Sequence, residues 1–160
     1  MTAPLQTTRP VRDTTRLRAP AGRVARVAVT PDPLDVGRFE ELAADPAAGA
    51  VVSFAGVVRD HDGGRPVAMV EYVGHPTAQT VLAQVAAEVA ARCPVDVVAV
   101  GHRLGPLQVG ETALVAVVAA AHRREAFEAA ALLVDEVKLR LPVWKRQVFA
   151  DGSEEWVACP

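Results

Sequence analysis

Lys138 and Lys145 are the only lysines in a chain that otherwise uses arginine, 15 times, for its basic side chains. They lie seven residues apart in EVKLRLPVWKRQVF, on either side of Leu141-Pro142. The chain has no Asn and no Ile and is rich in Ala, Val and Arg, the mark of a GC-rich coding sequence. That bias accounts for the scarcity of lysine but not for two survivors lying together. An exposed cation serves as well as arginine, whereas only an amine can give up its proton or attack a carbonyl. The pair therefore points to proton transfer or to nucleophilic amine chemistry.

Lys138 sits in EAFEAAALLVDEVKLRL, a helical stretch that ends at Pro142. With Phe127 at zero on a helical wheel, Ala131 falls at about 40°, Val134 at about 340° and Lys138 at about 20°. The wheel predicts that Lys138 lies within the apolar stripe and faces the protein. A buried ammonium must find an anion or lose its proton, and either outcome suits an active site. Its competitor is a lysine near a helix end that reaches water past Leu141. If residues 143–149 form a strand, Lys145 shares a face with Val143, Gln147 and Phe149, and Trp144 and Arg146 point the other way. The bend at Pro142 would bring both amines to one pocket.

Other polar candidates stand at element junctions: Arg59 after an apolar run, His102-Arg103 before a turn, and His122-Arg123 at the start of the long helix, where backbone N–H groups favour an anion. Arg59, His122, Arg123, Lys138, Lys145 and Arg146 together read as a cationic cluster for a phosphorylated or carboxylate-bearing substrate. The four histidines show no HxH or HExxH spacing, and Cys93 and Cys159 are far apart, so no metal site is expected. No P-loop, GxGxxG or GxSxG is present.

The elements that must position these groups follow from pattern. RVARVAVT (23–30) reads as a strand, and 35–44 as a short helix. GAVVSFAGVVRD (49–60) and VAMVEYV (67–73) read as strands joined by HDGGRP in a hairpin. Residues 77–93 form a helix with Val81, Leu82, Val85, Ala86 and Val89 on one face, stopped by Pro94. Strands 95–104 and 111–121 are linked by the turn-rich GPLQVG. The long helix spans 123–141, and VWKRQVF and EEWVA close the chain as a hairpin around ADGS. Mixed strands and helices without strict alternation predict an α+β fold.

At 160 residues, 51% apolar, the chain fits one domain with a real core. A net charge of −2 excludes a dominant nucleic-acid or membrane-surface role. No apolar run approaches the roughly 18 residues of a membrane span. Two cysteines, for which a reduced intracellular state is the default, and the lack of a secretory pattern predict a cytoplasmic protein. Residues 1–22, Arg- and Thr-rich, are expected to be a disordered extension, leaving 23–160 as the domain.

GAVVSFAGVVRDHDGG, VEYVGHPTA, GHRLGPLQVGE, AHRREAFEAAALLVDEVKLRLPVWKRQ and EEWV, in this order, resemble the large, catalytic subunit family of molybdopterin synthase, the MoaE family. The resemblance spans about residues 23–157, and its AHRxxAF and KxRxPxWK segments are specific. It implies an α+β fold with an α/β-hammerhead element, a mixed or antiparallel sheet and a long helix in the C-terminal half. It implies transfer of sulfur from the C-terminal Gly-Gly thiocarboxylate of a ubiquitin-like MoaD-type subunit to cyclic pyranopterin monophosphate (precursor Z), without a cofactor. It implies a homodimer within a heterotetramer. The family's substrate-binding arginine falls on Arg59, its His-Arg pair on His122 and Arg123, its catalytic lysine on Lys138 and its second lysine on Lys145, followed by Arg146. Val57 stands where many members carry lysine.

Two other readings compete: a Schiff-base lyase or aldolase with Lys138 as the nucleophile, and a non-catalytic module that binds a ubiquitin-like protein. Arg123 and Lys138 are 15 helical steps apart, roughly 22 Å of rise. Both can serve one site only if the site is shared between two subunits.

Overall fold

The computed structural model describes residues 14–158. In chain order it runs β1 (Arg23–Thr30), α1 (Val36–Leu42), β2 (Ala50–Val57), β3 (His61–Asp62), β4 (Arg65–Gly74), α2 (Ala78–Arg92), β5 (Val97–Arg103), β6 (Gly105–Gln108), β7 (Thr112–Ala120), α3 (Arg123–Arg140), β8 (Val143–Phe149) and β9 (Glu154–Ala158). The expected α+β class holds.

One sheet has the order β1-β5-β7-β2, with β1 parallel to β5 and the other pairs antiparallel. Its central strands are buried almost without a break, because both faces are covered. Leu82, Val85 and Val89 of α2 and Leu133 and Val137 of α3 pack on one face, against Val98, Val100, Ala116 and Val118. Phe39 of α1 covers the other face, over Val97, Ala99, Val115 and Val117. The second sheet has the order β3-β4-β8-β9, with β6 also on β4. Val58, Val67, Val70, Leu107, Ala113 and Phe149 form its small core.

Four expectations change. The run 49–60 does not form a hairpin with 67–73: β2 pairs with β7, and β4 pairs with β6 and β8. Only the two-residue β3 folds back on β4, at Gly63-Gly64, so the turn residues HDGG mark a short hairpin inside the second sheet. GPLQVG is more than a linker, since Gly105–Gln108 is a strand of that sheet. Part of the expected extension joins the fold: Arg16 pairs with the fully buried Asp96, Arg18 with Asp45 at 2.6 Å, and Gly22 N–H donates to the Val95 carbonyl. A buried carboxylate needs a counter-charge, and Arg16 supplies it. Residues 1–13 lie outside the described residues.

The fourth change concerns α3. Its buried residues are Ala126, Ala129, Ala130, Leu133 and Val137, while Phe127 is 61% exposed. The stripe centred on Phe127 is therefore not the inward face. Small alanines carry the packing because α3 lies close on the sheet, and Lys138 falls on the edge of that contact and is exposed.

Candidate active site

The two sheets meet at a cavity of about 350 Å³. Its walls come from the end of β2 and the turn after it (Gly56 to Arg59), the β4 side chains Val70 and Tyr72, His102 of β5, the start of β7, the last turn of α3 with Lys138, and Val143, Lys145 and Gln147 of β8. Pro142 ends α3 and starts β8, which turns the chain so that both lysines line one space. Alternation along β8 acts as expected: Val143, Lys145 and Gln147 face the cavity.

Neither lysine has a hydrogen bond or ion pair within the described residues, whereas most neighbouring arginines are committed. Arg59 pairs with Asp62 at 2.9 Å, and Arg140 pairs with Glu88 and Glu136. Asp62 also accepts a hydrogen bond from the buried Gln147 amide at 2.8 Å. That bond, with the Arg59 guanidinium and the Lys145 charge, holds the Asp62 carboxyl below its usual range despite partial desolvation. The result is a cation-lined space whose nearby carboxylate is already engaged, a setting for an anionic ligand.

His102 lies at the back of the cavity, 5% exposed, with its ring edge-on to Tyr72 at 5.0 Å. Its Nδ1–H donates to the Arg103 carbonyl at 2.8 Å. Burial pushes its pKa down to about 4; the carbonyl opposes this shift and the Lys138 charge adds to it. The unfolded chain binds this proton near pH 6.5 and the folded chain near pH 4, so stability is full above about 6.5 and falls as pH drops through that window. The loss should approach about 3 kcal/mol by pH 4. Denaturant melts of the wild type and of His102→Gln between pH 7 and 4 check this: the variant should show a much shallower fall.

The remaining predicted residues lie elsewhere. Arg146 is on the opposite face of β8, bound to Glu154 at 2.8 Å and Glu71 at 3.5 Å, so it does not line the cavity. The Glu154 bond, foremost, raises its proton affinity further. His122 and Arg123 are exposed at the start of α3, beside a different concavity formed with Gly49, Ala50 and Ala121. One chain therefore brings together Arg59, Lys138 and Lys145, and leaves His122, Arg123 and Arg146 apart. His102, Tyr72 and Gln147 join the cavity without having been assigned to it from sequence; the parity of β8 already placed Gln147 beside Lys145. Among the described residues no group of three or more His, Cys, Asp and Glu side chains is placed to hold a metal. No described helix is long and apolar enough to cross a membrane.

The fold recurs in known proteins. The family model described as MoaE protein matches residues 29–140. The molybdopterin synthase catalytic subunit of Nostoc sp. is 39% identical over 133 residues, covering 82% of this chain and 81% of that protein. Its counterpart from Pyrococcus abyssi is 40% identical over 128 residues, covering 79% and 86%. The crystal structure of molybdopterin synthase from Staphylococcus aureus superposes with a TM-score of 0.76 at 29% identity, over 81% of this chain and 94% of that one. The chain belongs to the MoaE family.

Proposed function

We propose that this chain is the catalytic subunit of a molybdopterin synthase, a sulfurtransferase of molybdenum cofactor biosynthesis that acts in the cytoplasm. The observation that carries the assignment to this cavity is the meeting of two unpaired lysines and Arg59 in one space between the sheets. Cyclic pyranopterin monophosphate brings a phosphate, which Arg59 and Lys145 would hold. The sulfur donor is the C-terminal glycine thiocarboxylate of a ubiquitin-like subunit. Its sulfur bonds to a substrate carbon as oxygen leaves. Water then cleaves the acyl–sulfur bond, leaving sulfur on the pterin and a carboxylate on the glycine. Each stage needs a proton moved, and Lys138 is the amine placed to move it. Its charge also suits the oxyanion formed at the glycine carbonyl.

The relatives named as catalytic subunits support this reading. A complex of subunits 1 and 2 of the molybdopterin-converting factor from Helicobacter pylori shares the fold, with a TM-score of 0.66 at 19% identity. As the family resemblance implies, this chain would pair as a homodimer and carry one small subunit at each end. Phe127, exposed one turn from Arg123, fits a contact between copies.

The test is incubation of the purified chain with a thiocarboxylated small subunit and precursor Z, with molybdopterin as the readout. Dithiolene formation that requires the terminal Gly-Gly of the partner is the expected result. Absence of product would overturn sulfur transfer, and a borohydride-reducible imine on Lys138 would replace it with Schiff-base chemistry.

A further inference from the structure

We propose that Asp62 is a positioning residue of the cavity: its carboxylate clips Arg59, on the chain leaving β2, to Gln147, on β8 of the second sheet. The clip presents the Arg59 guanidinium and Lys145 together as one preformed seat for an anionic group. The inference rests on the reading that Arg59 and Lys145 hold the substrate's phosphate.

Asp62 is placed by the backbone before it is placed by its charge. It pairs with Arg65 in the short hairpin of β3 and β4, which turns at Gly63 and Gly64 with φ of 55° and 76°. The Val67 N–H donates to the Asp60 carbonyl at 2.8 Å and closes the base of that hairpin. The two carboxylate oxygens then reach different elements. Oδ1 accepts from Arg59 Nη2 at 2.9 Å, and Oδ2 accepts from Gln147 Nε2 at 2.8 Å. Arg59 and Gln147 both line the cavity. Gln147 is 3% exposed and stands two residues from Lys145 on the same face of β8.

An ion pair this open would by itself do little, since the Arg59 side chain is 66% exposed and water competes for it. The buried amide changes that. Gln147 is packed into the wall, so it fixes the carboxylate, and the fixed carboxylate fixes the guanidinium. A long side chain held in advance loses less freedom when it binds a ligand. The contact to Asp62 takes only Nη2, and a guanidinium has five N–H donors. The rest of the fork is left for phosphate, which arginine binds with parallel bonds. The Lys145 charge, from the same wall as Gln147, also favours the ionised carboxylate.

Arginine labelled with ¹⁵N reports the clip without substrate, the Arg59 signal being assigned with Arg59→Lys. In the wild type, rotation of the Arg59 guanidinium about Nε–Cζ should be slow. Asp62→Ala should speed it to the rate of an unpaired arginine. In sulfur-transfer assays the same variant should raise KM for precursor Z roughly tenfold, the scale of a lost charged hydrogen bond, with kcat and partner binding within about twofold. Asp62→Asn should restore most of both, because its carbonyl accepts from Arg59 and its amide donates to Gln147 once that amide flips. A role in folding alone would lower the melting temperature and leave KM and rotation unchanged. If Asp62→Ala does not fold, Gln147→Met decides: it keeps the volume in the wall and unanchors the carboxylate, so Arg59 should again rotate faster. Unchanged Arg59 rotation in the folded variant, or a loss in kcat with KM unmoved, overturns the proposal. Rotation needs no substrate, so an inactive wild type would sink the sulfur-transfer reading and leave the clip to be judged on rotation.

Discussion

Lys138→Arg should lose sulfur transfer by on the order of 100-fold or more, nearly as much as Lys138→Ala, with complex formation intact in both. The substitution keeps the positive charge, so a purely electrostatic role would survive it. A guanidinium, however, holds its proton far above the physiological range and cannot cycle it. It is also broader than an ammonium, at the rim of a cavity of about 350 Å³. Lys145→Arg should be milder than Lys145→Ala, because a guanidinium still binds phosphate, often with two parallel bonds. Rates of product formation by the four purified variants, with partner binding measured separately, check the set. Near wild-type activity in Lys138→Arg would mean that the amine is not the chemical group, and that codon usage alone left two lysines in the chain.

Mixed dimers of Arg123→Ala and Lys138→Ala chains should recover activity that neither parent dimer has. In each chain Lys138 lines the cavity and Arg123 does not; the two mark opposite ends of the unbroken helix α3. If one site takes its lysines from one copy and its His122-Arg123 from the other, a mixed dimer contains one site with every residue present. Its activity should approach half that of the wild type, against parents reduced on the order of 100-fold for the lysine variant. Affinity tags of two kinds isolate the mixed species before assay. Verified mixed dimers as inactive as the parents would confine His122 and Arg123 to a role outside the shared site.

Local pattern made most elements legible. Strong stops such as Pro94 and Pro142 marked helix ends, and alternation along VWKRQVF placed Lys145 and Gln147 on one face before any tertiary contact was known. The pairing of β2 was not legible. An apolar run followed by turn residues and a second run is the local signature of a hairpin, yet β2 finds its partner about 60 residues later in β7, where burial on a central strand outweighs a local turn. The same holds for Gly105–Gln108, four residues whose strand conformation depends on the edge that β4 offers.

What the sequence by itself determined is chemical: two amines among arginines, placed around a proline, and the motif set that marks the MoaE family. Periodicity also settled that residues 123–140 are helical, because a 3.6-residue repeat is a local property. It did not settle which side of that helix is buried. Phe127 is larger than Ala126, Ala129 or Ala130, and hydrophobicity alone would bury it first. Close approach of α3 to the sheet instead favours the small side chains, leaving Phe127 in the open and Lys138 at the cavity rim. Only the tertiary structure brought His102 under Lys138's influence and separated His122, Arg123 and Arg146 from the cavity. Those relations join strands and helices distant in sequence, and no spacing rule along one chain encodes them.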